Sequence, residues 1–157
     1  MKAITYEQAL SRAASLCSGS EHCSSEIRKK VIQWGLTPTQ AEDIISYLKE
    51  EKYIDNSRFC RAYCLDKFRY NHWGRVKISQ MLRMLEMDNS DINEGLEAIP
   101  EDEYEEVLQH VLEQKNRQLK DADPYIRKGK LTRHALSRGF ETYLIIEVLS
   151  QICQDAE

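Results

Sequence analysis

YIDNSRFCRAYCLDKFRYNHWGRVKISQMLRML, residues 53–85, holds a charged helix cap, two amphipathic runs and a turn between them. Asp55 stands where a carboxylate accepts from the free amides of a first helical turn. Behind it Phe59, Ala62, Tyr63 and Phe68 recur at helical spacing. His72-Trp73-Gly74 supplies a turn, and from Arg75 onward Ile78, Met81, Leu82 and Leu85 share one face. Two short helices cannot bury both apolar faces alone, so the flanking sequence has to complete them.

Upstream, Leu10, Ala13, Ala14 and Cys17 mark one helix, interrupted at 18–21. Ser24-Ser25-Glu26 is expected to cap a second, which carries Ile27, Val31 and Trp34 and stops at Gly35, a residue suited to a left-handed C-terminal cap. Thr37-Pro38-Thr39-Gln40 spells a capping box with proline at the first helical position, opening a third helix through Ala41, Ile44, Ile45 and Leu48. Downstream, Asn89-Ser90-Asp91 begins a helix with Ile92, Leu96 and Ile99. Pro100 introduces Tyr104, Val107, Leu108, Val111 and Leu112. After a polar break at 120–123, a helix through Leu131, Ala135 and Leu136 ends at Gly139, and a last one carries Leu144, Ile145, Val148, Leu149 and Ile152.

These pieces superimpose. Shifts of 51 and then 53 residues align Ile27 with Ile78 and Leu131, Val31 with Leu82 and Ala135, and Gly35 with Glu86 and Gly139. Leu36 then meets Met87 and Phe140, Ala41 meets Ile92 and Ile145, Ile45 meets Leu96 and Leu149, and Leu48 meets Ile99 and Ile152. The β-branched run at 143–149 has strand propensity, but this register assigns it to a helix. The expected fold is all-α: three tandem three-helix repeats, 1–52, 53–99 and 100–157, forming an elongated, curved array, right- or left-handed.

The chain carries a formal charge of −4, yet the charge is segregated. Residues 58–83 hold seven bases (Arg58, Arg61, Lys67, Arg69, Arg75, Lys77 and Arg83) against Asp66 alone, whereas 86–107 hold ten acids and no base. A second basic block over 115–138 includes Lys128, Lys130, Arg133 and Arg138. Such blocks can engage phosphates, with Tyr70, His72 and Trp73 nearby as stacking groups. The plainer reading is a solvated helix face, with Arg58 paired to Asp55 and with Tyr70 and Trp73 in the core.

Catalytic patterns are missing: there is no glycine-rich phosphate loop and no nucleophile elbow, and His22, His72, His110 and His134 fall on separate helices or turns. Five cysteines form no CxxC pair, so thiols rather than a metal centre are expected, with no cofactor and no enzyme activity. No apolar run approaches a bilayer span, and MKAITYEQAL lacks the core of a secretory signal, so a cytoplasmic monomer without membrane contact is expected.

Tyr53-Ile54-Asp55-Asn56-Ser57-Arg58-Phe59, followed by Gly74 and the Ile78–Leu82 helix, resembles the signature of the RecX family of bacterial recombination regulators. Ser24-Ser25-Glu26-Ile27 with Gly35 resembles its first-module element, and Ser137-Arg138-Gly139-Phe140 its third-module arginine-glycine-phenylalanine. The likeness covers residues 6–152, with Asn56 in place of the motif's second acid and Cys60 where alanine is common. The resemblance implies three tandem three-helix repeats that bind the RecA nucleoprotein filament in its groove. It further implies inhibition of ATP hydrolysis, strand exchange and co-protease activity, and hence a role in DNA repair, recombination and the SOS response. Asp55, Phe59, Gly74, Gly35, Gly139 and Phe140 are then architectural, and the basic residues named above face filament or DNA. Two other readings are a free-standing helix-turn-helix DNA-binding regulator and a helical-repeat adaptor without DNA contact.

Overall fold

Nine α-helices and no strand occupy the described residues of the computed structural model, which describes 4–155, with side chains as far as Ile152. The thiol of Cys153 therefore lies outside the described residues. In chain order the helices are α1 (Tyr6–Gly19), α2 (Ser24–Gln33), α3 (Pro38–Glu50), α4 (Asn56–Asn71), α5 (Arg75–Met84), α6 (Asn89–Glu97), α7 (Glu101–Gln118), α8 (Pro124–Ser137) and α9 (Thr142–Asp155). The run at 143–149 is helical, as its register requires.

The aligned positions end their helices in one way. Gly35, Glu86 and Gly139 all have positive φ, at 100°, 61° and 93°. In each turn the next amide donates five residues back: Leu36 to Val31, Met87 to Leu82 and Phe140 to Ala135. The left-handed residue itself donates to Ile32, Arg83 and Leu136 respectively. This is the Schellman arrangement, and the residue after it is buried each time, at 6%, 7% and 1% exposure. The sequence register is thus a register of identical hydrogen bonds.

The chain divides into two compact units, Met1–Ala62 with Leu82–Gly95, and Tyr63–Met81 with Leu96–Glu157. In the first, α1, α2 and α3 pack on one another around Ala9, Ala13, Ile27, Val31, Leu36, Ala41, Ile44, Ile45, Leu48 and Ile54. Thr5 with Gln8 and Thr37 with Gln40 form reciprocal capping boxes, so the first amides of α1 and α3 are satisfied. The expected cap on α2 is displaced by one residue: Cys23 is the cap, its amide donates to Glu26, and Ser24 is already helical. Asn56 explains the shift, because its Oδ1 accepts from the Ser24 amide at 3.3 Å, supplying from afar what a local serine would have given.

In the second unit α7, α8 and α9 pack together. Tyr104 stacks on Phe68 at 5.6 Å between centroids and meets Phe140 at 5.3 Å, an aromatic cluster whose three members are almost fully buried. Arg127 donates to the carbonyls of Leu119, Asp121 and Asn116, tying down the polar break between α7 and α8. Along α4 the buried residues are Phe59, Cys60, Cys64 and Phe68, whereas Ala62 and Tyr63 are half-buried and Tyr70, read as a possible core residue, is 83% exposed. Burial alone pushes the Cys64 thiol up to about 12, so it stays protonated.

Candidate functional site

Gly74 sits where two backbone segments cross. Its amide donates to the Arg138 carbonyl at 2.8 Å and the Val76 amide donates to the Gly139 carbonyl at 2.9 Å. A Cβ on Gly74 would stand 2.3 Å from the Gly139 oxygen, and one on Gly139 would stand 2.3 Å from the Lys77 Cβ. Both glycines are present for close approach, with Gly139 also needing its positive φ. The first turn of α5 is thereby fixed against the turn between α8 and α9.

That docking determines what Arg75 does. Its guanidinium bonds Glu141 at 2.8 Å, pairs with Glu101, and lies 3.8 Å from the Tyr104 ring centroid. The Arg75 amide donates to the Tyr104 hydroxyl oxygen at 2.9 Å, and that hydroxyl donates in turn to Glu141. Burial works against the Arg75 charge, but the Glu141 hydrogen bond and the neighbouring carboxylates more than offset it, keeping its pKa above the ordinary value. Tyr104 is pushed well above the ordinary phenol range by burial first and by its bond to Glu141 second. The Arg75 side chain is 19% exposed, and its charge is spent inside the unit.

Other members of the basic block also have internal partners. Arg58 pairs with Glu21, not with Asp55, and also donates to the Lys52 and Tyr53 carbonyls; Asp55 instead accepts from the Arg58 amide at 3.0 Å, as a helix cap. Arg69 pairs with Glu103 at 3.0 Å and Lys130 with Asp121 at 2.7 Å. These pairs are partly exposed, and solvent screening leaves each of them weak. Their local field is neutralised all the same.

Two groups keep an outward positive charge in the second unit. Lys67 and Lys77 both cover the half-buried Trp73, with ammonium nitrogens 5.2 and 4.5 Å from its ring centroid. On α8, Lys128 and Arg133 are exposed and share a shallow groove of about 430 Å³ with Tyr125, which is 86% exposed, and with Ile126, Gly129 and Thr132. Among the described residues, Arg61, Arg83, Lys128 and Arg133 form no ion pair. The Tyr125 groove was not foreseen, although an aromatic three residues before a lysine on a helix is a readable signal.

Residues 55–96 match the model of the RecX second three-helix domain and residues 101–149 that of the third. A regulatory protein RecX of Clostridium acetobutylicum is 30% identical over 151 residues, covering 94% of this chain and 70% of the relative. The chain belongs to the RecX family. A family member from Prosthecochloris aestuarii is 26% identical over 150 residues and is covered to 93%. The chain spans 40% of the matching relative from Oceanobacillus iheyensis. A crystal structure of RecX from Lactobacillus salivarius superimposes with a TM-score of 0.85 at 14% identity, covering 95% of this chain and 97% of that one. A second RecX regulatory-protein crystal structure gives the same TM-score at 20% identity. At such identities the likeness is one of all-helical fold. Among the described residues no helix is long and apolar enough to cross a membrane, and no cluster of His, Cys, Asp and Glu could hold a metal ion.

Proposed function

We propose that this chain binds the RecA–DNA filament and inhibits its ATP hydrolysis, strand exchange and co-protease activity, acting as a cytoplasmic regulator of recombination and the SOS response. The observation that carries this reading is membership of a family of regulatory proteins, joined to cations the fold leaves without an acid: Lys67 and Lys77 across Trp73, and Lys128 and Arg133 beside Tyr125. Cations beside aromatic rings, the half-buried Trp73 and the exposed Tyr125, suit a phosphate backbone with accessible bases, as in the single strand of a filament. The three repeats, 1–52, 53–99 and 100–157, would act as successive contacts of one monomer, so that weak individual contacts add by effective concentration.

A helix-turn-helix reading is disfavoured at α6. There Asp91 lies beside Asp88, Glu94 and Asp55; burial first and then these carboxylates hold its pKa above the usual range. A helix start at such negative potential repels phosphate. The test is RecA's DNA-dependent ATP hydrolysis and filament length with this protein in several-fold excess over filament sites. Suppressed hydrolysis or shortened filaments are expected; no change in either sinks the proposal.

A further inference from the structure

Three of the four histidines do not stay apart. His72, in the turn after α4, meets His110 of α7 edge to face at 5.9 Å, and His72 and His134 line one cleft in the second unit. That cleft, about 140 Å³, is completed by Val111, Gln114, Lys115 and Gln118 of α7 and by Arg138 at the end of α8. It is smaller than the roughly 300–1,000 Å³ of a pocket for an organic ligand. Its lining is almost wholly made of hydrogen-bond donors. Beyond His134 it continues into a wider groove between Lys115, Leu119, Lys130 and Arg133.

The charges acting on His134 are Lys115 from α7 and Arg138 from its own helix, both positive. Lys130 is already paired with Asp121, and Arg138 uses one nitrogen on the Asn71 carbonyl at 3.4 Å, leaving the rest of its guanidinium available. Burial first, then the positive charges of Lys115 and Arg138, hold His134 below the ordinary imidazole range; these two cations leave the cleft at positive potential. An anion would cancel it.

We propose that this cleft binds a phosphate group, with Lys115, His134 and Arg138 as its cationic ligands and Gln114 and Gln118 as neutral donors. The small volume fits one oxyanion, and the continuing groove along Lys130 and Arg133 fits a chain of them. The phosphate can come from a nucleic-acid backbone or from free phosphate. The backbone source rests on the filament reading above; the free source does not. Phosphate binding brings a proton to His134, so the grip tightens as pH falls from 8 to 6.

The test follows the His134 imidazole by NMR in the full chain, with inorganic phosphate and, separately, with a short oligothymidylate, and uses His22, which is not part of the cleft, as the control. His134 is expected to titrate at higher pH with either ligand while His22 is unmoved. A response to the oligonucleotide alone assigns the backbone source, and a response to inorganic phosphate alone assigns the free one. Lys115→Gln and Arg138→Gln each weaken binding of the responding ligand by about tenfold, the scale of one charge-assisted hydrogen bond, whereas Lys120→Gln leaves it unchanged. His134→Gln keeps a donor but loses the pH dependence, read as the difference from wild type because inorganic phosphate itself titrates. If neither ligand moves His134, or if both cleft variants bind like wild type, the proposal is overturned. Since RecA takes no part in this measurement, its failure is distinguishable from a failure of the filament reading.

Discussion

The turns at Glu86 and Gly139 have the same hydrogen bonds and the same left-handed backbone, yet one is built on glutamate and the other on glycine. At Glu86 the side chain projects into solvent, with Arg28 3.8 Å away. At Gly139 the space for a side chain is filled by the Lys77 backbone and Cβ. Positive φ alone costs an ordinary residue about 1–2 kcal/mol, which a helix stop can absorb. Filled space at 2.3 Å cannot be absorbed without moving the first turn of α5. Glycine in this repeat is therefore a packing requirement in one copy and a convenience in another.

The largest effect expected is for Gly139→Ala, which combines backbone strain with a clash: a loss of about 3–5 kcal/mol in urea unfolding, or failure to fold. Gly74→Ala meets the same crossing without the strain and should lose about 1–3 kcal/mol. Gly35→Ala faces positive φ, and a loss near 1 kcal/mol is expected. A loss as large as at Gly139 would break the comparison. Replacing Glu86 with glycine relieves strain against a gain in unfolded-state freedom, and should raise stability by about 0.5 kcal/mol.

The smallest effect is a pH slope that belongs to the Gly139 turn alone. His134, in the last turn before it, is in register with Met81, which cannot titrate. Because burial, Lys115 and Arg138 depress the folded His134 value, the unfolded chain takes up its proton at a higher pH. The stability of neutral His134 is present above the ordinary imidazole value and is lost as pH falls through the depressed one. Unfolding midpoints between pH 7 and 5 should fall less for His134→Gln than for wild type.

Periodicity revealed what repeats locally. Val31, Leu82 and Ala135 are buried because each lies four residues after an apolar neighbour and five before the amide that caps its turn. The all-helical fold, the α7–α8 break and the Thr37 box were legible for that reason. Contacts between residues far apart in sequence were not. Gly74 looked like a turn glycine, and only the Gly139 oxygen shows why it has no side chain. Arg75 counted as a surface cation until Glu141, sixty-six positions later, claimed it. Arg58 and Glu21 are likewise distant, Asn56 caps a helix thirty-two residues upstream, and His72 and His134 come to line one cleft only once α7 and α8 pack. Charge counts identify blocks; they do not say which charges are already answered.

The central claim, that the unanswered cations of the second unit act on RecA, is tested most directly by RecA ATP hydrolysis on single-stranded DNA with three forms of this protein: wild type, Lys128→Gln with Arg133→Gln, and Arg58→Gln with Arg69→Gln. Wild type should suppress hydrolysis, the first variant should need about tenfold more protein for the same suppression, and the second, whose charges are already paired, should need about the same amount as wild type. Equal behaviour of the two variants, or no suppression by wild type, would contradict the account.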